Sequence, residues 1–154
     1  MTTPVQDKRA LNGPKVCLMG LGGTGKTYSI GTLVDWAGKN GFEVAVLFTE
    51  NGLESLLGYW KDRGLEVPAH LFWQIGSRPM ASPGDYGVAQ NNLMNFLRLC
   101  TQGMNCPFVM TAHVDRETDG VTQSTKIMIK AIGKALASEI PTLFSDVVYT
   151  TREG

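Results

Sequence analysis

The stretch Gly20-Leu21-Gly22-Gly23-Thr24-Gly25-Lys26-Thr27 decides the fold of this sequence. An apolar run from Lys15 to Met19, typical of a buried strand, precedes it, and apolar residues at helical spacing follow it. A strand, a glycine-rich turn and a helix in this order are the context of the Walker A pattern, which is GxxxxGK followed by Ser or Thr. We call residues 20 to 27 the glycine-rich loop and predict that they bind the phosphates of a nucleotide.

The residue types of the glycine-rich loop fit the parts of a magnesium triphosphate. Glycines let the backbone curve into a ring of N–H groups around the β-phosphate, and the residues predicted to form it are Gly20, Gly22, Gly23, Thr24 and Gly25. Lys26 neutralises β- and γ-phosphate oxygens, and the Thr27 hydroxyl ligates Mg²⁺. We expect Lys26 to be exposed, because it serves phosphate rather than the core. A chance match in a glycine-rich turn is the alternative, which the flanking strand and helix disfavour.

Strands and helices alternate along the rest of the chain. Further strands are predicted at residues 43 to 49, 71 to 75, 107 to 112 and 146 to 151. Helices are predicted between Thr27 and Asn40, between Leu53 and Gly64, after Asp85, and from Ala131 to Ile140. Strands that alternate with helices favour a parallel sheet, so the sequence predicts an α/β domain.

Three local predictions follow from the apolar pattern. The continuous apolar run from Val44 to Phe48 is typical of a strand buried on both faces. The polar stretch from Val114 to Lys126 predicts a loop. Asp85 is the predicted cap of the next helix. The predicted buried face of this helix consists of Ala89, Leu93, Phe96, Leu97 and Cys100.

Composition limits the class of protein. The chain has 154 residues, which suits one domain from residue 15 to 154 behind a polar arm at residues 1 to 14. Fourteen basic residues balance fourteen acidic ones, so no overall positive field attracts nucleic acid or an anionic membrane. The three cysteines lack the spacing of a zinc site, and no apolar run is long enough to span a bilayer. We expect a reduced, cytoplasmic protein.

Two polar residues at predicted strand ends are candidates for catalysis. Glu50 ends the strand predicted to lie beside the strand of the glycine-rich loop, where a carboxylate can reach a water in line with the γ-phosphate and act as a general base. The alternatives are a surface glutamate and an acidic residue in the first turn of the next helix, where the helix dipole favours it. His113 ends the strand from Pro107 to Ala112 and can hydrogen-bond a γ-phosphate. A structural histidine is the alternative there.

Four segments together resemble the RecA-like P-loop ATPases, in particular the small ATP-binding proteins of tailed bacteriophages. These segments are GLGGTGKT at 20 to 27, VAVLFTENGLESL at 44 to 56, FVMTAHVDRETDG at 108 to 120 and AIGKALASEIPTLFSDVVYTTREG at 131 to 154. The resemblance implies a three-layer fold with a mainly parallel central sheet flanked by helices. It also implies ATP rather than GTP and, for a phage protein, the host cell cytoplasm.

The resemblance assigns roles to three further residues. Glu50 corresponds to the glutamate that activates water in this family, and His113 corresponds to the polar residue that reads the γ-phosphate. Arg152 corresponds to a basic residue that RecA-like assemblies direct toward a neighbouring subunit's γ-phosphate, and a solvated terminal arginine is the alternative. The implied partners are single-stranded DNA or a DNA-processing complex, and a further copy of the chain.

The sequence departs from the family at the second magnesium motif, Walker B. No apolar strand ending in Asp is identifiable, and we predict that this segment is missing near Ile75 to Arg78. Asp85 or Asp115 could replace it, although a helix cap and a loop carboxylate are the alternatives. The polar stretch after His113 is more acidic than basic, which disfavours DNA contact through it.

Two functions therefore stay open at the level of sequence. The first is an ATPase acting in phage DNA recombination, replication or repair, for which Lys26, Glu50 and His113 are the candidate catalytic residues. The second is a nucleotide-binding module for assembly or regulation, without significant turnover. A small-molecule kinase is disfavoured, because no arginine-rich lid follows the glycine-rich loop.

Overall fold

The computed structural model describes residues 13–48, 52–75, 86–131 and 134–152. Its strands are β1 (Lys15–Gly20), β2 (Val44–Phe48), β3 (Leu71–Ile75), β4 (Phe108–Thr118), β5 (Thr125–Ile129) and β6 (Asp146–Thr150). Its α-helices are α1 (Lys26–Lys39), α2 (Leu53–Lys61), α3 (Tyr86–Arg98) and α4 (Lys134–Glu139), with a π-helical turn at Leu99–Gly103 and a 3-10 turn at Ile140–Leu143. The predicted α/β class is confirmed.

The chain divides into two compact units, each with its own sheet. The first unit consists of residues up to Thr24 and from Ala81 onward, and it holds β1, β4, β5 and β6. The second unit is Gly25–Met80 and holds β2 and β3. The boundary falls between Thr24 and Gly25, within the glycine-rich loop.

The sheet of the first unit has the strand order β5-β4-β1-β6 and is mixed. β4 and β6 are the neighbours of β1 and are parallel to it, so the prediction that β2 lies beside β1 is wrong, and β2 pairs with β3. β5 is antiparallel to β4. The prediction of a mainly parallel sheet is therefore wrong, and of the loop predicted from Val114 to Lys126 only residues 119 to 124 lie outside the strands. The physical reason is the short connection between Thr118 and Thr125, which can join only antiparallel neighbours.

Polar cross-strand pairs explain how a stretch that lacks apolar character forms this hairpin. Glu117 lies opposite Lys126, and Thr118 lies opposite Thr125, with their hydroxyl oxygens 3.3 Å apart. Opposite charges and paired threonines stabilise antiparallel strands even when both are exposed.

The core of the first unit lies on one face of its sheet. Cys17, Leu97 and Ile129 belong to the buried cluster, which also includes Met19, Met94, Val114, Leu136, Ile140 and Phe144. Burial raises the pKa of the Cys17 thiol to about 11. All three cysteines of the chain are free thiols.

The buried face of α3 differs from the predicted one. Met94, Leu97 and Cys100 are buried, whereas Leu93 and Phe96 are exposed. Two apolar stripes share Leu97 and Cys100, and one of them includes Met94 whereas the other includes Leu93. Helical spacing alone does not show which of the two stripes is buried. The rest of the first unit selects the methionine side.

A buried lysine fastens the start of β1. Lys15 is 8% exposed, and its Nζ donates hydrogen bonds to the carbonyl oxygens of Met104, at 2.8 Å, and Cys106. Its backbone N–H donates to Ser145 Oγ at 3.1 Å. These bonds join β1 to the segment before β4 and to the segment before β6. Buried ammonium groups require such partners.

In the second unit α1 packs on α2. Tyr59 Oη and Trp60 Nε1 both donate to the Asp35 carboxylate, each at 2.9 Å. The bond to Asp35 raises the pKa of Tyr59, because it favours the protonated phenol. Leu56 and Trp60 are almost fully buried. The helix ends before Gly64, whose φ of 65° is the left-handed conformation that glycine commonly adopts after a helix.

The parallel pair of β2 and β3 has one exposed face. Ala45 pairs with Phe72 and Leu47 pairs with Gln74, and all four side chains are exposed. The prediction that residues 44 to 48 are buried on both faces is therefore wrong for Ala45 and Leu47. A continuous apolar run shows that a strand is apolar on both sides, but not that both sides are covered.

None of the helices in the described ranges combines the length and apolar character that crossing a membrane requires.

We predict that Gly31→Ala destabilises the protein by roughly 1 to 3 kcal/mol, a typical cost of overpacking. A Cβ on Gly31 would lie 2.1 Å from Tyr59 Cγ, and the bond to Asp35 holds that ring. Denaturant unfolding measures the change. The matched control is Gly58→Ala in α2, where a Cβ meets nothing within 4 Å. Alanine should stabilise that helix by about 0.5 to 1 kcal/mol. Equal effects at both positions would contradict the packing described for α1 and α2.

Candidate phosphate-binding site

The glycine-rich loop begins where three parallel strands run side by side. Gly20, the last residue of β1, pairs in register with His113 of β4 and with Thr150 of β6. Ligands in α/β proteins commonly bind at the carboxyl ends of parallel strands. His113 and Thr150 are therefore the side chains that the sheet of the first unit presents beside the loop.

Hydroxyl groups organise the first part of the loop. Thr24 Oγ1 donates to the Leu21 carbonyl oxygen at 2.9 Å and lies 2.9 Å from Thr150 Oγ1. Thr150 Oγ1 also lies 3.3 Å from the Met19 carbonyl oxygen, to which it can donate. The arc from Gly20 to Thr24 is thus tied to the end of β6.

The second part of the loop opens α1. Gly23 and Gly25 have φ values of 75° and 80°, a conformation that glycine adopts without the strain of a side chain. Gly25 is the N-cap of α1, and its carbonyl oxygen accepts the first helical hydrogen bond, from Ser29 N at 2.8 Å. The first turn of α1 contains no acidic residue. Its positive end therefore lacks an internal carboxylate partner within that turn.

Lys26 is buried, with 6% of its surface exposed, so the prediction of an exposed lysine is wrong. It is the first residue of α1, and side chains in a first turn point back toward the N-terminus of the helix. A lysine can bury its aliphatic stem against apolar surface while its ammonium group remains among polar groups. Lys26 therefore remains a candidate for phosphate binding. A substitution that tests this role must keep the volume of the buried side chain.

Thr27, the predicted magnesium ligand, lies in the second unit near the start of α2. A Cβ built on Gly52 would lie 3.4 Å from Thr27 Cγ2 and 3.1 Å from Phe48 Cδ1. The methyl side of Thr27 therefore faces the helix that follows β2. Thr27 is half-buried, and it stands on the first turn of α1 as the motif requires.

His113 lies inside β4 and not at its end, because the strand continues through Thr118. Its carbonyl oxygen accepts a bond from Lys130 N at 2.8 Å, which ties it to the residue after β5. Its ring is half-buried, and Cε1 would be 4.0 Å from a Cβ built on Gly22. The strand end was predicted wrongly, yet the side chain lies beside the glycine-rich loop.

The remaining candidates divide into exposed residues and residues outside the described ranges. Glu50 and Asp85 lie outside them, as does most of the segment around Arg78 where Walker B was predicted to be missing. Asp115 is exposed in β4, and its Oδ1 accepts the N–H of Arg116 at 2.9 Å. Arg152 is exposed after β6. Among the described residues no group of three or more His, Cys, Asp or Glu side chains could hold a metal.

Thr150 was missed by the sequence reasoning. Its position at the end of a predicted strand was the available signal, but a threonine there is ordinary for a strand. The register that places it beside Gly20 comes from strand order, which the local pattern does not specify.

Comparison with protein-family models gave no match, and comparison with curated proteins gave none either.

We predict that Gly20→Ala destabilises the first unit by roughly 1 to 3 kcal/mol, as overpacking does. A Cβ there would lie 2.3 Å from Thr150 Oγ1 and 2.6 Å from the Thr150 carbonyl oxygen, which belongs to the sheet and cannot rotate away. Gly22→Ala is the control, since its nearest neighbour would be His113 Cε1 at 4.0 Å. That exposed change should stay within about 0.5 kcal/mol in denaturant unfolding. A Gly20→Ala protein as stable as the Gly22→Ala protein would refute the register of β1 and β6.

Proposed function

We propose that this chain is an ATP-binding P-loop protein of RecA-like type that hydrolyses ATP in the service of phage DNA recombination, replication or repair. The observation that carries the proposal is the conformation of residues 20 to 27, in which a parallel strand leads through two left-handed glycines into the first turn of α1. Strand, loop and helix occur in the order that the phosphate-binding mechanism requires.

Electrostatics supports a phosphate ligand at this loop. A helix N-terminus carries about half of a positive charge and several N–H groups without helical partners. α1 has 14 residues and no acidic residue in its first turn, so it retains this preference for an anion. Lys26, at the same end, adds a full positive charge. Thr27 places a hydroxyl one residue later, where a magnesium ion bound to the β- and γ-phosphates would take it as a ligand.

ATP hydrolysis requires groups that act on the γ-phosphate and on water. In the proposal His113 reads the γ-phosphate, which its position beside Gly22 supports. Glu50 activates the water, a role that rests on the resemblance. The RecA-like three-layer arrangement, a single-stranded DNA or DNA-processing partner, self-association and the action of Arg152 on a neighbouring subunit belong to the same proposal and rest on the resemblance.

Nucleotide binding without significant turnover is the second candidate function. What favours it is the state of the acidic residues: Asp115 is exposed and bonds its own neighbour, and the described ranges contain no acidic cluster for a metal. A carboxylate that orients the magnesium waters commonly contributes about 10- to 100-fold to affinity or activity. Without such a carboxylate, the protein would still bind the nucleotide but would hydrolyse it slowly.

We predict that Lys26→Met weakens binding of MgATP at least about 100-fold, because the methionine keeps the buried stem and removes the charge that pairs with phosphate oxygens. Calorimetric titration measures the dissociation constant. Lys39→Met, an exposed lysine in the last turn of the same helix, is the matched control and should bind as the unchanged protein does. Equal affinity of both variants for MgATP would remove the phosphate role of the loop.

We predict that the chain hydrolyses bound ATP at less than about 1 per second, below the usual range for enzymes. Glu50→Gln should slow the reaction further with unchanged affinity, because the amide retains shape and cannot take a proton from water. Single-turnover hydrolysis, with and without single-stranded DNA, measures the rate. Glu54→Gln, an exposed glutamate in the first turn of α2, is the control. A rate well above 1 per second would show that another carboxylate serves the metal, and a normal rate for Glu50→Gln would end its role as the base.

A further inference from the structure

The side chain of Thr150 occupies the space that a side chain on Gly20 would need. The two residues pair in register, and the Thr150 Oγ1 atom would lie 2.3 Å from a Cβ on Gly20. A glycine at the first position of the Walker A pattern allows the backbone to turn. Here the absence of a side chain also admits the hydroxyl of the neighbouring strand.

That hydroxyl extends a chain of hydrogen bonds into the loop. Thr150 Oγ1 lies 2.9 Å from Thr24 Oγ1, and Thr24 Oγ1 donates to the Leu21 carbonyl oxygen at 2.9 Å. Thr150 Oγ1 also lies 3.3 Å from the Met19 carbonyl oxygen, so two hydroxyl protons serve three contacts and either threonine can be the donor in the bond between them. Thr150 is half-buried, so water competes only in part for these bonds.

We propose that Thr150 is a positioning residue for nucleotide binding, which holds the arc from Leu21 to Thr24 in its phosphate-binding shape through the hydroxyl of Thr24. The inference rests on the proposed function. The Walker A pattern leaves the residue at position 24 unspecified, so phosphate chemistry alone gives the Thr24 side chain no task. The bond to Thr150 gives it one.

The physical effect is preorganisation. Backbone N–H groups bind a phosphate well only when they point at it together, and a loop that must be ordered on binding loses affinity by that cost. One hydrogen bond that holds the arc corresponds to roughly a three- to tenfold change in affinity. Thr150 itself is not expected to touch the nucleotide.

The experiment compares Thr150→Val, which has the same shape without the hydroxyl, with Thr150→Ser, which keeps the hydroxyl. Calorimetric titration with MgATP gives the dissociation constant, and thermal unfolding without nucleotide gives the stability. We expect Thr150→Val to bind three- to tenfold more weakly and Thr150→Ser to bind within about twofold of the unchanged protein. Thr125→Val is the control, because it removes a hydroxyl from another pair of threonines, in the hairpin of β4 and β5.

A double-mutant cycle tests whether Thr150 acts through Thr24. Thr24→Val, which also removes the bond to the Leu21 carbonyl oxygen, should weaken MgATP binding at least as much as Thr150→Val, and the double variant should bind no more weakly than Thr24→Val. Additive effects would overturn the proposed route. Thr24→Val also probes the bond from the loop side if Thr150→Val does not fold.

Three other results overturn the inference. These are unchanged affinity of Thr150→Val, weakened affinity of Thr150→Ser equal to that of Thr150→Val, and a loss of nucleotide-free stability that accounts for the whole loss of affinity. Failure of the proposed function looks different, because in that case the unchanged protein would not bind MgATP and Lys26→Met would make no difference.

Discussion

The parallel pairing of β1 between β4 and β6 is the constraint on which the candidate site depends. Because the three strands are parallel and their register is fixed, Gly20 lies beside His113 and Thr150. Lys15 fixes the other end of β1 through carbonyl oxygens on the segment before β4. The start and the end of one short strand are therefore held by different parts of the first unit, and the glycine-rich loop leaves the sheet from a fixed point.

The loop combines two kinds of control over the backbone. Left-handed glycines at positions 23 and 25 permit a curve that other residues resist, while the threonine hydroxyls at 24 and 150 limit which curve is taken. In the proposed function, a loop without the hydroxyl bonds would have its N–H groups poorly aligned for a phosphate. The hydroxyl bonds alone would not allow the turn into α1.

Local sequence patterns predict the position and type of most elements. They do not predict which strands pair or which side of a helix is buried. The strands at Lys15–Gly20 and Asp146–Thr150 and the start of α1 follow from apolar runs and a motif. The hairpin of β4 and β5 did not, because the part of β4 after Val114 is polar and gains its stability from partners across the ladder. The buried side of α3 and the place of Thr150 also depend on partners distant in sequence, whereas the role of Glu50 is still a prediction.

The division into two units distributes the natural probes of this chain unequally. Its three tryptophans, Trp36, Trp60 and Trp73, all belong to the second unit, and its three cysteines, Cys17, Cys100 and Cys106, all belong to the first. Indole fluorescence therefore follows the packing of α1 on α2, where Trp60 is almost fully buried. Thiol labelling follows the core beneath β1. Tryptophan fluorescence and thiol labelling can therefore report on the unfolding of the second and the first unit, respectively, without any substitution in the chain.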